Sequence, residues 1–145
     1  MKEQNYEKGT SHIESKFKNI EKPNPKMIFD LANFYKNSKN YELAIDYYSS
    51  LISSLEDTSV IKSDILYRRG GSYERLGNYE KSDEDLLHAL RIRPNDAYVL
   101  NYLAYSWLER DYKIDEAMEM LKIAYDLKSN DPYIIDSIGW AYFLI

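Results

Sequence analysis

The stretch LYRRGGSY at residues 66–73 has three near copies in the chain: IFDLANFY at 28–35, LNYLAYSW at 100–107 and IDSIGWAY at 135–142. Each copy begins with an aliphatic residue, has Ala or Gly four positions later, and ends with an aromatic residue three positions after that. The small residues are Ala32, Gly70, Ala104 and Gly139. Successive members are separated by 38, 34 and 35 positions in the sequence. A period in this range is typical of stacked structural repeats, so we expect a repeat array.

Each unit has the apolar spacing of two consecutive helices. Ile28, Leu31, Ala32 and Tyr35 occur at positions i, i+3, i+4 and i+7, which places them on one face of a first helix. Further residues at helical spacing, beginning near Ala44, predict a second helix in the same unit. The array is therefore predicted to consist of helix pairs.

Capping residues mark the ends of these helices. Asn24-Pro25 and Asp131-Pro132 each place an N-cap residue before a Pro at the first helical position. We expect Gly77 to end a helix at positive φ and Asn40 to take the same conformation in the first unit. Asp115 is expected to cap the second helix of the third unit.

Two glycines lie inside first helices, where Gly costs about 1 kcal/mol relative to Ala. These residues are Gly70 and Gly139. The expected compensation is a close approach of the second helix, which a side chain would block. We expect the residue opposite to be small, namely Ala44, Ser82 or Ala117.

The second unit resembles the tetratricopeptide repeat, a helix–turn–helix unit of 34 residues. The residues that match its spacing are Leu66, Gly70, Tyr73, Ser82, Leu86, Ala89 and Pro94. The resemblance covers about residues 25–145 and implies an all-α, right-handed solenoid of antiparallel helix pairs. The implied units are about 25–62, 63–96 and 97–131, with the first helix of a fourth at 132–145. Residues 1–24 are a polar segment in which Ile13, Phe17 and Ile20 are spaced for a short helix.

Residues 100–140 are also similar to large multi-repeat tetratricopeptide proteins of alphaproteobacteria, which are often exported. This similarity implies that the chain is an internal piece of a longer protein. Residues 134–145 favour the same interpretation, because they are apolar nearly all round and a terminal repeat helix normally has a polar outer face. The alternative is that a second copy covers this helix.

Composition excludes several classes of function. The chain has 145 residues, a net charge of −5 and no Cys, so disulfides and thiolate metal sites are excluded. It has no basic run, which argues against nucleic acid as a partner. The beginning of the chain has no signal peptide, so a cytoplasmic location is expected as written, or a periplasmic one for a piece of an exported protein.

No catalytic or metal-binding constellation can be named, so we expect neither enzyme activity nor a cofactor. His12 and His88 are far apart in the sequence. The acidic residues within 80–85 are expected to form a solvated helix face. For the basic pair Arg68-Arg69, salt bridges to nearby acids are favoured over an anion site.

The resemblance implies that the first helices line a concave face on which a partner protein or extended peptide binds. The expected groove residues are Phe29, Asn33, Lys36, Tyr67, Gly71, Glu74, Asn101, Tyr105, Leu108, Asp136 and Trp140. Chaperone-tail-binding members clamp a carboxylate with Lys and Asn on their first helices. Phe29 and Arg68 stand at two of those positions here, so we do not expect that clamp. The alternative function is structural, with the apolar last helix stacking on further repeats or on a second copy.

Overall fold

The computed structural model describes residues 24–145, which form seven α-helices and no strand. In chain order they are α1 Pro25–Asn37, α2 Tyr41–Ile52, α3 Val60–Arg75, α4 Tyr79–Ile92, α5 Ala97–Glu109, α6 Ile114–Leu127 and α7 Pro132–Leu144. The expected all-α repeat array is confirmed. The candidate helix around Ile13, Phe17 and Ile20 lies outside the described residues.

The helices pack as consecutive pairs, α1 with α2, α3 with α4 and α5 with α6. The pairs stack because α2 also packs on α3 and α4 on α5, while α7 packs on both α5 and α6. The predicted small residues of the second helices, Ala44, Ser82 and Ala117, are completely buried. The core therefore runs along the array between first and second helices.

Gly70 lies at a close helix–helix contact, as expected. A Cβ atom on Gly70 would lie 3.1 Å from both Asp85 Cβ and Leu86 Cγ. The contact residues are thus one turn further along α4 than Ser82, so the expected partner was wrong. The expectation was also wrong for Gly139, whose Cβ position has no atom of another element within 4 Å, because no described helix lies over it.

The turns between paired helices contain residues with positive φ. Gly77 has φ of +78°, as predicted. In the first turn the left-handed residue is Lys39, with φ of 63°, and Asn40 was wrongly assigned this role. Asn40 instead has φ of −92° because it is the N-cap of α2 and accepts a hydrogen bond from the Leu43 amide.

The third turn is built differently. Residues 110–113 separate α5 from α6, one residue more than separate α1 from α2 or α3 from α4. Asp111 and Lys113 both have positive φ, and Lys113 stands at the N-cap position without a side-chain hydrogen bond. Asp115 is not the predicted cap, because α6 begins at Ile114 and Asp115 lies within its first turn.

Ion pairs join neighbouring helices within residues 24–145. Arg69 donates two hydrogen bonds of 2.7 Å to the carboxylate of Asp85, which is only 5% exposed. Arg110 donates a 2.7 Å hydrogen bond to Asp83. The acidic stretch 80–85 is therefore not uniformly solvated as expected, because two of its carboxylates hold α4 against its neighbours.

Candidate binding groove

Two adjoining clefts open on the surface formed mainly by first helices. The first cleft has a volume of about 710 Å³ and lies between the end of α1, the α1–α2 turn, α3 and α5. The second has about 400 Å³ and lies between α5 and α7. Tyr102 and Tyr105 line both clefts, so the two form one continuous surface, which we call the groove.

The predicted groove residues distribute unequally over this surface. Five line the first cleft: Lys36, Tyr67, Gly71, Glu74 and Tyr105. Tyr105 also lines the second cleft, together with Asn101, Asp136 and Trp140. Phe29 and Asn33 line neither cleft.

Leu108 was wrongly assigned to the groove. Only 6% of its surface is exposed, and it belongs to the same core cluster as Trp107, Ala117 and Leu121. Its position at the end of α5 lets the side chain pack in this core, and burial of a Leu side chain is favourable by about 1.5–3 kcal/mol.

Phe29 and Asn33 are engaged in contacts between helices. The Asn33 amide oxygen accepts hydrogen bonds from the Tyr48 hydroxyl and, at 3.2 Å, from Arg68 Nη1. The Arg68 guanidinium lies over the Phe29 ring, 5.2 Å from its centroid. These contacts attach α1 to α2 and α3, so we interpret both residues as supports of the groove.

The wall of the first cleft is aromatic. The Tyr102 hydroxyl donates a 2.8 Å hydrogen bond to Glu74 Oε2, and its ring meets Tyr67 edge-to-face with centroids 5.8 Å apart. Burial raises the pKa of Tyr102, and the neighbouring Glu74 carboxylate adds to this effect. Burial raises the pKa of Tyr67 as well. Both hydroxyl groups therefore stay protonated at pH 7, and that of Tyr102 is held by Glu74.

The first cleft is also basic. Four cationic side chains line it, and their residues are Lys36, Lys39, Arg68 and Arg75. Partial burial lowers the pKa of Lys36, and the positive charge of Arg68 lowers it further. A hydrogen bond with Tyr41 raises the pKa of Arg75. Four lining residues were not predicted, because only three positions were counted in each first helix. Arg75 and Tyr102 lie at other positions of α3 and α5, and Lys39 and Tyr41 lie in the α1–α2 turn and at the start of α2.

The second cleft is aromatic and contains no cation among its lining residues. Trp140 Nε1 donates a 2.9 Å hydrogen bond to Glu109 Oε1, and the Trp140 ring stacks on Phe143 at 5.4 Å. A hydrogen bond to Glu109 raises the pKa of Tyr105. The amide oxygen of Asn101 is buried and receives no hydrogen bond from the described residues.

The repeat motif is more exposed in α7 than in α3 and α5. Leu66 and Leu100 are 0% and 5% exposed, whereas Ile135 at the same repeat position is 47% exposed. Trp107 is 3% exposed, whereas the equivalent Tyr142 is 63% exposed. A cavity of about 610 Å³ lies between α6 and α7 on this side, and Gly139 is part of its wall.

The described residues 24–145 contain neither a cluster that could hold a metal ion nor a helix that could span a membrane. No group of three or more His, Asp or Glu side chains there is placed to hold a metal ion. His88 lies 3.1 Å from the Asp57 carboxylate and is a partly exposed surface residue. In the same range, no helix is both long enough and apolar enough to cross a membrane.

Comparison with known proteins identifies the repeat. The family model described as tetratricopeptide repeat matches residues 25–54 and 63–96. Residues 25–54 and 63–96 are thus tetratricopeptide repeats.

Two curated tetratricopeptide-repeat-containing proteins are similar to part of the chain. One, from Pseudomonas aeruginosa, is 32% identical over 77 residues, which are 53% of this chain and 13% of that protein. The other, from Methanocaldococcus jannaschii, is 38% identical over 94 residues, which are 62% of this chain and 16% of that protein. The chain thus spans less than a fifth of the length of either relative. The similarity to alphaproteobacterial proteins stays a prediction.

Solved structures of other proteins share the fold. MamA superposes with a TM-score of 0.76 at 17% identity, covering 97% of this chain and 79% of MamA. The Sgt2 domain from Aspergillus fumigatus gives a TM-score of 0.71 at 19% identity, covering 84% and 79%. The first tetratricopeptide-repeat domain of Spaghetti (RPAP3), solved bound to an HSP90 peptide, gives 0.71 at 15% identity, covering 82% and 90%. At these identities the likeness extends to the fold alone.

Proposed function

We propose that this chain is a non-catalytic scaffold that binds an extended segment of a partner protein along the groove. The observation that carries this proposal is the continuity of the two clefts through Tyr102 and Tyr105, which gives one elongated surface. Tyr side chains provide a large contact area at low entropic cost and are frequent at binding hot spots. The peptide-bound structure of a protein with the same fold supports the proposal by analogy.

The polar groups of the groove suit a peptide backbone. Asn101 holds an acceptor without a donor among the described residues, and an unpaired buried acceptor costs about 1–3 kcal/mol. A backbone N–H group of a bound segment would offset part of that cost after a rotation of the amide. Glu74 and Glu109 fix the Tyr102 hydroxyl and the Trp140 indole, so little side-chain freedom is lost on binding.

The test is affinity capture of partners with wild type and with the triple variant Tyr67→Ala, Asn101→Ala and Tyr105→Ala. We expect the variant to lose partners that wild type captures while keeping its helical circular dichroism spectrum. A matched control replaces Tyr79, which is exposed on α4 and lies outside both clefts and outside the cavity between α6 and α7. Equal capture by wild type and a folded triple variant would contradict the groove as the binding surface.

We also propose a second function, in which α7 joins the chain to another repeat helix. The exposed motif residues Ile135 and Tyr142 carry this proposal, because their equivalents in earlier units are covered by a second helix. The helices that cover the motif in the first three units are α2, α4 and α6, and they share one pattern. It consists of a small residue, a large apolar residue four positions later, and a small or apolar residue three positions after that. These sets are Ala44, Tyr48 and Leu51; Ser82, Leu86 and Ala89; and Ala117, Leu121 and Ala124.

Light scattering at several concentrations tests this second function. A sample that associates as wild type and becomes monomeric as Ile135→Ser/Tyr142→Ser would support self-association through α7. A wild type that stays monomeric at all concentrations rules out a second copy as the covering helix. A synthetic peptide of residues 79–92, which carries the covering pattern, then tests whether this face accepts such a helix at all.

A further inference from the structure

The groove has two ends of different charge. The first cleft is lined by four cationic side chains and by the carboxylate of Glu74. The second cleft is lined by one ionised residue, Asp136, and otherwise by aromatic, Asn and Ser side chains. The chain as a whole carries a net charge of −5. The positive end of the groove is therefore opposite in sign to the protein that contains it.

Internal acids neutralise little of this positive charge. Among residues 24–145, Arg68 pairs with Asp64 at 3.2 Å, and that pair is substantially exposed. Lys36, Lys39 and Arg75 form no ion pair in that range. Glu74 already accepts the hydrogen bond of the Tyr102 hydroxyl.

Lys36 is partly buried in the wall of the first cleft, which Arg68 also lines. Burial lowers the pKa of Lys36 most, and the positive charge of Arg68 lowers it further, while the Asp64 carboxylate opposes both effects. A carboxylate placed between these two cations would offset the repulsion and form charge-assisted hydrogen bonds. Such complementarity governs association rate and partner choice more than it governs affinity.

We propose that the groove selects a segment with an acidic block, whose carboxylates lie against Lys36, Arg68 and Arg75. The adjoining part of the segment is uncharged and apolar or aromatic, and it lies against Tyr105 and Trp140 in the second cleft. This proposal rests on the groove being the binding surface. It adds the chemical class of the partner and the end of the groove at which each part lies.

Selection from a displayed library of random peptides tests the proposal with the wild-type chain as bait. We expect the selected peptides to contain about twice as much Asp and Glu as the input library. We expect their affinity to fall about tenfold between 50 and 300 mM NaCl, because exposed charge pairs are screened by salt.

Two charge reversals locate the acidic block. Lys36→Glu is expected to lower the affinity of the protein for the selected peptides about tenfold. Arg91→Glu makes the same change in net charge at an exposed position on α4, outside both clefts, and is expected to change affinity less than about twofold. Trp140→Ala is expected to weaken binding without altering its salt dependence. Circular dichroism establishes that each variant is folded.

Each result bears on the proposal. Peptides selected without enrichment in Asp and Glu overturn the acidic preference but leave the groove as a peptide site. Equal weakening by Lys36→Glu and Arg91→Glu overturns the placement of the acidic block. Failure to select any peptide overturns peptide binding itself, and this proposal with it.

Discussion

Alanine at the two glycines of the repeat motif should change stability in opposite directions. Gly70 and Gly139 occupy the same motif position in two first helices, so the local gain in helix propensity is the same at both, about 1 kcal/mol. The surroundings differ, because α4 lies over Gly70 and no described helix lies over Gly139. The pair therefore isolates the tertiary contribution of one methyl group.

The magnitude at Gly70 follows from the distances. The new Cβ atom would lie 3.1 Å from Asp85 Cβ and Leu86 Cγ, closer than an ordinary van der Waals contact. Asp85 cannot easily withdraw, because Arg69 holds its carboxylate with two hydrogen bonds of 2.7 Å. Overpacking costs about 1–3 kcal/mol, and we take a value near 2 kcal/mol for this contact. The gain in helix propensity offsets about 1 kcal/mol of that cost, so we expect Gly70→Ala to be less stable than wild type by about 1 kcal/mol.

At Gly139 the substitution by Ala gains helix propensity without an overpacking cost. A Cβ atom there meets no atom of another element within 4 Å. We therefore expect Gly139→Ala to stabilise α7 by about 0.5–1 kcal/mol.

Urea unfolding followed by far-UV circular dichroism measures both effects. We expect the midpoint to fall for Gly70→Ala and to rise or stay constant for Gly139→Ala, with unchanged slopes. A repeat array can lose an end helix before the rest, so hydrogen exchange of α7 amides provides a local reading for Gly139→Ala. A rise in midpoint for Gly70→Ala as large as that for Gly139→Ala would refute the close packing of α3 on α4.

Three further predictions follow from buried groups. Arg69→Met should lower the free energy of unfolding by about 3 kcal/mol because it leaves the Asp85 carboxylate buried and unpaired, and adding Asp85→Asn should restore part of that loss in urea unfolding. Burial raises the pKa of Tyr48 to about 12, so the stability contributed by the neutral Tyr48 side chain is complete below about pH 10 and is lost as pH rises through 12. The free energy of unfolding of Tyr48→Phe should therefore fall less steeply over this pH range than that of wild type. Leu108→Ala should cost about 2–5 kcal/mol as a core residue, whereas Leu76→Ala, at a site 46% exposed, should stay within about 0.5 kcal/mol.

Much of the fold could be predicted because its signals are local. The repeat period, the aliphatic–small–aromatic spacing and the cap residues act within a few turns of one helix. Asn24 and Asp131 cap α1 and α7, and Gly77 takes its positive φ, because each property depends on neighbouring backbone groups. The wrong assignments of Asn40 and Asp115 lie in the α1–α2 and α5–α6 turns. A shift of one or two residues there decides which residue has positive φ and which stands at the N-cap position.

The groove was only partly predictable because it combines residues from several helices. Counting positions along first helices found Lys36, Tyr67 and Trp140, but counting cannot show how deeply a helix end is covered, so Leu108 was misplaced. It also could not bring Lys39, from a turn, next to cations of α3.

An array of helix pairs can be derived from the amino-acid sequence, since helix periodicity and capping are properties of short stretches of chain. Three other features became visible in the folded molecule alone: Asp85 and Leu86 lie against Gly70, Asp85 is paired with Arg69, and one end of the groove is positive. These features depend on the rotation and offset of one helix against another. Packing of the whole array sets that rotation and offset, and no single helix sequence encodes them.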